Sequence, residues 1–343
     1  MSRRDVHTLV PRRVSSALAL LLLFAAACGS DDGATPPPPA QPPNLHGIGG
    51  WTEFDLFAVG DVGTILHYRG AKVRTMTSPT TKTLRDVAGL DPTSAFAVGD
   101  GGTILHYNGS AWTKVLSPTT QNLYSLWAAT SSVPDTLVFG KNTWLAVGAG
   151  GVILLDTGTG WVEETSPTTE DLEGVWALTG GEAYAVGKSG TVIHRTGGVW
   201  STVAPFTTAR LRSVWADKPR DWFATGDGGE IWQERGAGWT QMVSPRTDDF
   251  YSVLGSDSAF VFAAGAADSI LFYDGFDWRP IAPRYADRME AIWATTCGLS
   301  LSPAAPGTAG AGLHCSNTYF AGTTSVMTRF ILLGSYEVLN DPR

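Results

Sequence analysis

Apolar residues recur in short runs along residues 44–343, and the runs return at a nearly constant spacing. The clearest run reads Phe-Ala-Val-Gly-Asp-Val-Gly-Thr-Ile-Leu-His-Tyr at residues 57–68 and returns with one change at residues 96–107. A glycine that follows the first apolar run is found in seven copies, at Gly60, Gly99, Gly148, Gly187, Gly226, Gly265 and Gly322. The intervals between these glycines are 39, 49, 39, 39, 39 and 57 residues. Self-similarity at such a period predicts a repeat architecture.

Two further columns keep the same register. The first is apolar and precedes the glycine, at Leu45, Leu84, Leu123, Leu172, Leu211, Phe250 and Met289. The second is mostly aromatic and follows it, at Val73, Trp112, Trp161, Trp200, Trp239, Trp278 and Tyr336. Each unit therefore predicts four short strands, a to d, with a glycine-rich turn between b and c, and a proline such as Pro118 that ends strand d.

Four antiparallel strands in about 39 residues, repeated seven times, predict an all-β fold, a seven-bladed β-propeller. The expected blades span residues 44–82, 83–121, 122–170, 171–209, 210–248, 249–287 and 288–343. Strands b and c read as continuously apolar because blades pack on their neighbours through both faces. We interpret the tryptophan column as filler between blades, with stacking on a ligand as the alternative.

The first 43 residues have a different composition and predict an export signal and a tether. Four arginines precede an apolar stretch at residues 14–27, which is too short to span a bilayer and fits a signal peptide of residues 1–27. Small residues directly before Cys28 resemble a bacterial lipobox, which implies lipidation of Cys28; an ordinary signal peptide cleaved after Ala27 is the alternative. Residues 28–43 are proline-rich and predict a semi-rigid linker. Gly29 after the cysteine favours the outer membrane, at its periplasmic or surface face.

Composition and charge narrow the class of protein. The chain has 343 residues, of which 16% are charged, with 40 glycines and 13 tryptophans. Low charge with many aromatic residues argues against disorder. The net charge of −8 argues against a nucleic-acid binder, which usually carries a basic face. An acidic surface also repels anionic lipid headgroups, so membrane attachment is expected through the lipid alone.

Two insertions interrupt the repeat between strands a and b. One lies near residues 131–141, and the other spans residues 296–317 and contains Cys297 and Cys315. In an exported protein these two cysteines most simply form a disulfide. A free reactive pair or a metal site with His314 is the alternative.

The turns between strands b and c are the candidate binding face. Asp61, Asp100, Lys188 and Asp227 occupy equivalent positions in these turns. Ordinary turn chemistry explains an aspartate before glycine; the functional interpretation is a polar or cationic ring at the channel mouth, with Ca²⁺ or a basic segment as its ligand. Three histidines share one column of strand c, namely His67, His106 and His194. We interpret that column as a tolerant strand position, and we predict no catalytic residue, no metal site and no cofactor.

The unit Leu-x-x-Val-Trp-Ala … Ala-Val-Gly-x-x-Gly-Thr-Ile-Leu-His-Tyr-x-Gly-x-x-Trp resembles the repeats of the photosystem II assembly and stability factors, and more broadly those of BNR or Asp-box propellers. The resemblance covers residues 44–343 and rests on the spacing of Gly99, Ile104, Gly109 and Trp112 and their equivalents. It implies the propeller fold. A full Asp-box is absent. The sialidase branch of the Asp-box propellers uses three arginines, and this chain has arginines near the starts of strand a, at Arg85, Arg210, Arg212 and Arg288.

These observations predict a membrane-anchored, non-enzymatic binding or assembly-scaffold propeller. The expected partner is a protein or a glycan, with no nucleic acid, and the expected state is a monomer. The alternative is an exported glycan-active hydrolase of the Asp-box type. A cluster of perturbed carboxylates and arginines at one channel mouth would favour the hydrolase.

Overall fold

The computed structural model describes residues 43–281 apart from 53, 71, 129–142, 179 and 267–268. Beyond these residues it describes the backbone of the strands between 289 and 339. The predicted signal peptide and Cys28 lie outside the described residues, as does the predicted linker up to residue 42. So do Cys297, Cys315 and both insertions apart from four strand residues. Among the described residues, no helix has the length and apolar content needed to cross a membrane.

The described chain forms β-propeller blades of four antiparallel strands each. Blade 1 consists of β1 (Leu45–Thr52), β2 (Asp55–Gly60), β3 (Ile65–Arg69) and β4 (Lys72–Thr75). Blade 2 consists of β5 (Leu84–Asp91), β6 (Ser94–Gly99), β7 (Thr103–Tyr107) and β8 (Trp112–Val115). Blade 3 consists of β9 (Leu123–Ala128), β10 (Trp144–Gly148), β11 (Ile153–Asp156) and β12 (Trp161–Glu163).

The next three blades repeat this order. Blade 4 consists of β13 (Leu172–Ala177), β14 (Ala183–Gly187), β15 (Val192–Thr196) and β16 (Val199–Thr202). Blade 5 consists of β17 (Leu211–Lys218), β18 (Asp221–Gly226), β19 (Ile231–Glu234) and β20 (Trp239–Gln241). Blade 6 consists of β21 (Phe250–Asp257), β22 (Phe260–Gly265), β23 (Ile270–Tyr273) and β24 (Trp278–Ile281).

The C-terminal sheet differs from the six blades. Its strands are β25 (Met289–Ala294), β28 (Thr318–Gly322), β29 (Met327–Ile331) and β30 (Ser335–Leu339), in that order across the sheet. The short pair β26 (Gly298–Leu299) and β27 (Leu313–His314) forms a separate sheet within the insertion between β25 and β28. Strand β25 lies against β21 on one side and β1 on the other.

The predicted count of seven blades is corrected here to six. Six blades have both their strand pairing and their packed side chains described, whereas the C-terminal sheet is described by its backbone and by Ala291, which packs against the core of blade 1. The physical reason for the difference is the insertion, which separates the first two strands of this sheet and breaks the 39-residue spacing. We therefore describe six blades and a C-terminal sheet between blades 6 and 1.

The hydrophobic cores lie between neighbouring blades. Every residue of β2, β10, β14, β18 and β22 is buried, which explains why strand b reads as continuously apolar. The core between blades 1 and 2 joins Phe57 and Val59 of β2 to Leu105 and Trp112 of blade 2. The Trp112 ring meets the Phe57 ring edge-on at 5.0 Å between centroids, so this tryptophan fills the space between blades as predicted.

Candidate functional site

A tight turn between strands b and c places its first residue beside the start of strand a. In five blades this turn is a three-residue 3-10 segment, namely Asp61–Gly63, Asp100–Gly102, Ala149–Gly151, Lys188–Gly190 and Asp227–Gly229. The backbone N–H of Asp100 donates to the carbonyl of Thr83, 2.9 Å away and one residue before β5. The turns of strands b and c therefore share one mouth of the propeller with the beginnings of strand a.

A β-bulge occurs at the second residue of strand a in each of the six blades. In β5, for example, Leu84 pairs with Gly99 and Asp86 pairs with Val98, which leaves Arg85 unpaired. Bulges redirect a side chain and are common next to functional sites. The bulge residues form what we call the rim ring, and its members are His46, Arg85, Tyr124, Glu173, Arg212 and Tyr251.

Three of the predicted turn aspartates bind cationic or titratable members of the rim ring. The Asp100 carboxylate accepts hydrogen bonds from Nε and Nη2 of Arg85, at 2.5 and 3.3 Å. Asp227 accepts a hydrogen bond from Nε of Arg212, and Asp61 Oδ1 lies 2.7 Å from His46 Nε2. These carboxylates are therefore partners of the rim ring rather than an open ring of negative charge.

The pairing lowers the pKa of two carboxyl groups at this mouth, those of Asp61 and Asp171. Burial tends to raise the pKa of Asp61, but hydrogen bonds with His46 and Asn44 outweigh it, and the pKa is lowered overall. Lys188, the fourth predicted residue, donates to Asp171, and this bond together with the Gly150 N–H lowers the pKa of Asp171. All four predicted residues thus lie at the same mouth, and each is held by a partner in its own blade.

Two pairs of neighbouring blades carry the same stacked arrangement. The guanidinium carbon of Arg85 lies 5.3 Å from the ring centre of Tyr124, and that of Arg212 lies 4.9 Å from the ring centre of Tyr251. Both are within cation–π distance. We call these the two Arg–Tyr stacks. Sequence reasoning missed them, although an available signal was the residue after the leading apolar residue of strand a, which is arginine in blades 2 and 5 and tyrosine in blades 3 and 6.

The arginines considered for a sialidase site do not converge as an open cluster. Arg85 and Arg212 bind the turn aspartates of their own blades, and Arg210 Nη2 donates to Glu173 at 2.6 Å. Arg288 lies outside the described residues. The three described arginines of this set are therefore engaged by carboxylates of this chain.

Hydrogen bonds between blades hold the mouth together. The side-chain oxygen Oδ1 of Asn122 accepts the N–H of Gly101 at 2.8 Å, Asp171 accepts that of Gly150 at 2.8 Å, and Asp249 accepts that of Gly228 at 2.9 Å. In each case the acceptor belongs to the blade after the turn. The rim ring is therefore mounted on a frame fixed across blade boundaries.

Below the rim ring, the strands a enclose a central cavity of about 530 Å³. Its wall contains Asp86, whose Oδ1 accepts the N–H of Val87 and whose Oδ2 accepts the N–H of Leu126 in blade 3, both at 2.8 Å. Burial, only partly offset by these hydrogen bonds and one from Ser125, raises the pKa of Asp86 to about 7. Ser213 holds the equivalent place in blade 5, where its hydroxyl accepts the N–H of Val253 at 3.1 Å.

The histidine column does not form a shared site. His67 Nε2 lies 2.6 Å from Asp55 Oδ1 and stacks on Phe57 within blade 1, and His194 Nε2 lies 3.1 Å from Glu182 Oε1 within blade 4. Burial lowers the pKa of His106. In the part of the chain that the structure describes, no group of three or more histidine, cysteine or acidic side chains could hold a metal ion.

The comparisons with known proteins support the propeller architecture. No protein-family model and no curated protein matches the sequence. Among solved structures, YCF48 bound to D1 peptide shares 16% identity with a TM-score of 0.62, covering 85% of this chain and 92% of that one. YCF48 from Cyanidioschyzon merolae also shares 16% identity, with a TM-score of 0.64 and coverage of 86% and 97%.

A third solved structure extends the comparison beyond that family. The WD40 beta propeller domain of Doa1 shares 8% identity with a TM-score of 0.64, covering 86% of this chain and 95% of that one. At sequence identities of 8–16%, the similarity to these three structures shows the fold alone. The resemblance to photosystem II assembly factors, drawn from the repeat sequence, thus extends to the architecture.

Proposed function

We propose that this chain is a non-enzymatic propeller that binds a protein partner through the rim ring. The observation that carries the proposal is the pair of Arg–Tyr stacks, Arg85 with Tyr124 and Arg212 with Tyr251. Arginine and tyrosine are enriched among the residues that dominate protein–protein binding energies. Here the carboxylates of Asp100 and Asp227 hold both guanidinium groups in place, so little side-chain entropy remains to be lost on binding.

The same pairing argues against the hydrolase alternative. A glycosidase of the common type needs two carboxyl groups that face each other across the substrate, one of them able to donate a proton. At this mouth Asp61, Asp100 and Asp227 are engaged by His46, Arg85 and Arg212, and the pKa of Asp61 is lowered rather than raised. Asp86 in the cavity wall has a pKa raised to about 7, but both of its oxygens accept backbone N–H groups. Protein binding therefore fits the rim ring better than proton transfer. The solved YCF48 structure with a D1 peptide supports a polypeptide as the partner class.

We further propose export and attachment through a lipid on Cys28, with the outer membrane as the destination. The support is the sequence of residues 1–43, in which a signal-like apolar stretch precedes the cysteine and a proline-rich linker follows it. A disulfide between Cys297 and Cys315 belongs to the same proposal, because disulfides persist outside the cytoplasm. The propeller would then act as a monomer tethered at the membrane.

Crosslinking in intact cells tests the binding proposal. The full chain with its own signal is expressed as the wild type, as the Tyr124→Ala/Tyr251→Ala double variant and as Phe276→Ala. Phe276 provides the matched control, since it is an exposed aromatic residue in the turn between β23 and β24, away from the rim ring. We expect one protein to be crosslinked to the wild type and to Phe276→Ala but lost from the double variant.

Two results would contradict this proposal. One is a partner retained undiminished by the folded double variant, which would place binding elsewhere. The other is turnover of a glycan substrate that is abolished by rim substitutions, which would restore the hydrolase. Attachment is tested separately by metabolic labelling with an alkyne fatty acid, where Cys28→Ala should lose all label.

A further inference from the structure

The two Arg–Tyr stacks belong to a larger arrangement that occurs twice at the mouth of the propeller. Each residue of the first copy has a counterpart 127 residues later, and the pairs are Arg85 and Arg212, Asp100 and Asp227, and Tyr124 and Tyr251. The geometry recurs with the sequence, since the Arg–Asp hydrogen bond is 2.5 Å long in both copies and the guanidinium lies 5.3 or 4.9 Å from the ring centre. We call the two copies the first and the second rim site.

The repeat of the backbone does not by itself require this recurrence of side chains. Strand a carries the same β-bulge in all six blades, but the bulge residue is His46 in blade 1 and Glu173 in blade 4. Within the described part of the chain, a bulge arginine is followed by a bulge tyrosine in the next blade only between blades 2 and 3 and between blades 5 and 6. The complete arrangement is therefore confined to these two boundaries.

An exposed aliphatic side chain accompanies each copy at the same mouth. Leu116 and Val243 are each 89% exposed, and they too are 127 residues apart. Leu116 follows the end of strand d, where Val115 pairs with Ile104 beside the turn between strands b and c, and Val243 holds the equivalent place in blade 5. The residues at this position in blades 1, 3 and 4 are smaller or polar, namely Thr77, Thr165 and Ala204. Blades 2 and 5 thus share a feature that these three blades lack.

Each rim site is accessible and has its charge already balanced. The side chains of Arg85 and Arg212 remain 35% and 17% exposed, and the tyrosines Tyr124 and Tyr251 are half-buried. Because an aspartate of the same blade neutralises each guanidinium, an acidic ligand would have to compete with that aspartate. An aromatic ring held against a neutralised arginine suits an apolar or aromatic side chain better.

The two rim sites are separate binding surfaces. Strand β13 of blade 4 packs between β9 and β17, so blade 4 lies between the sites on one side, and blade 1 and the C-terminal sheet lie between them on the other. Packed sheets are about 10 Å apart, so sites three blades apart are beyond the reach of a single side chain. Each site is built from two adjacent blades only, and neither needs the other to be complete.

We propose that the mouth binds two copies of one partner segment, one on each rim site. The segment is a stretch of polypeptide that carries apolar side chains. The inference rests on the proposed protein-binding function and adds the number of segments that each propeller binds. Two surfaces of the same chemistry and geometry select the same group, whereas one segment that lies across the mouth would present different side chains to the two sites.

Photocrosslinking in intact cells tests this inference. The full chain with its own signal carries p-azidophenylalanine in place of Tyr124 or in place of Tyr251, which keeps the ring and puts the reactive group where the hydroxyl was. We expect the two positions to label the same peptide of the same partner, as identified by mass spectrometry. Phe276 carries the probe in the matched control and should not label that peptide, because it is exposed in a turn away from the rim ring.

Single alanine variants measure whether the two sites act separately. Tyr124→Ala and Tyr251→Ala should each lose about half of the crosslinked partner, and the double variant should lose all of it, since the effects of distant sites add. If an alanine variant fails to fold, the peptides labelled through the two azides decide the question. Different peptides at the two positions, label at fewer than both, or complete loss in one folded single variant would overturn the inference. These results leave the loss in the double variant intact, so they are distinguishable from failure of the proposed function.

Discussion

The rim ring and the central cavity differ in how they treat charge. At the rim, Arg85 and Arg212 each bind a turn aspartate of their own blade. In the cavity, Asp86 is held by backbone amides and Ser125, and Asp217 has one oxygen without a partner. At the mouth, each of these arginines is therefore neutralised by a carboxylate of its own blade. The charged residues of the interior, in contrast, have no equivalent in the other blades. Ser125, Ser213 and Ser252 stand where blade 2 has Asp86.

This difference separates architecture from specificity. Pairs that recur at equivalent positions, such as Arg85–Asp100 and Arg212–Asp227, belong to the architecture that blades 2 and 5 share. Residues that occur once, such as Asp86 and Asp217, give this propeller an interior of its own. Substitutions at the two places should therefore differ in their dependence on pH and salt.

The largest expected effect concerns the frame beneath the rim ring. Gly102 has φ of +68°, and a Cβ atom there would lie 2.0 Å from the carbonyl oxygen of Thr119. Gly102→Ala should lower the free energy of unfolding by about 3 kcal/mol or more, since the backbone must shift as well as adopt an unfavourable conformation. Urea unfolding of the full chain measures the change.

Gly101 is the matched control for that substitution. Its φ is +64°, but the nearest atom to an added Cβ belongs to the flexible Lys82 side chain, 3.7 Å away. Gly101→Ala should therefore cost only the conformational penalty of about 1 kcal/mol. Equal losses for the two variants would show that the close approach to Thr119 does not support the frame.

The second prediction concerns the interior. The pKa of Asp86 rises from 3.8 to about 7 on folding. Between these two pH values the folded protein therefore holds a proton that the unfolded chain has lost. The stabilisation from protonated Asp86 is fully present below pH 3.8 and is lost as pH rises through 7. Asp86→Ser retains an acceptor for the Leu126 N–H, as the equivalent serines do, and removes the charge.

We therefore expect Asp86→Ser to raise the free energy of unfolding at pH 8 by about 1–2 kcal/mol, because Asp86 is only half-buried and solvent screening reduces the full effect of the pKa shift. The gain should shrink at pH 5. Urea unfolding at both pH values measures it, with Asp257→Asn as the control, because the Asp257 carboxylate caps an exposed turn by accepting the Ala259 N–H. A gain that is the same at both pH values would show that the charge of Asp86 is not the cause.

The sequence predicted the strands well because the repeat aligns them in several copies. The four-stranded unit, the buried strands b and c and the position of Trp112 all follow from apolar runs and turn glycines. The blade count failed at the C-terminal sheet, where the insertion at residues 296–317 breaks the spacing. Periodicity alone cannot predict whether a unit with such an insertion forms a blade like the others.

The sequence predicted that the turns between strands b and c share one face, but it did not predict which residues they contact. The turns that carry Asp61, Asp100, Lys188 and Asp227 do lie at one mouth, but the partners of the three aspartates come from β-bulges, which a strand pattern does not reveal. The cavity residues Asp86 and Asp217 were missed, because their significance lies in unpaired atoms and neighbouring blades rather than in any motif. Chains of this kind therefore need the packed structure before chemistry can be assigned.

A smaller effect is expected at the rim ring itself. Asp61→Asn removes the charge that contacts His46, and pairs exposed in this way contribute about 0.5–1 kcal/mol. Because the pKa of Asp61 is lowered in the folded state, its stabilisation is present above pH 3.8 and is lost as pH falls through the folded pKa. Urea unfolding at pH 7 should show the loss, and the difference from the wild type should vanish in strong acid.

At a pH low enough for His46 to be protonated, high salt should also reduce the Asp61→Asn effect, since salt screens a partly exposed charge pair. The contrast with Asp86→Ser is then one of sign as well as size: the rim substitution destabilises and the interior substitution stabilises at pH 8. Two substitutions of the same sign would remove the distinction between the two regions.

The smallest effect separates the ring of Tyr124 from its hydroxyl. Arg85 lies over the ring face, so Tyr124→Phe keeps the stack and should change the free energy of unfolding by less than about 0.3 kcal/mol. Tyr124→Ala removes the ring and should cost about 0.5–1 kcal/mol. If urea unfolding gives the two variants the same loss, the hydroxyl and not the cation–π contact supports this position. A loss only for alanine means that the rim ring holds a flat aromatic surface in place before any partner arrives, as a preorganised binding face requires.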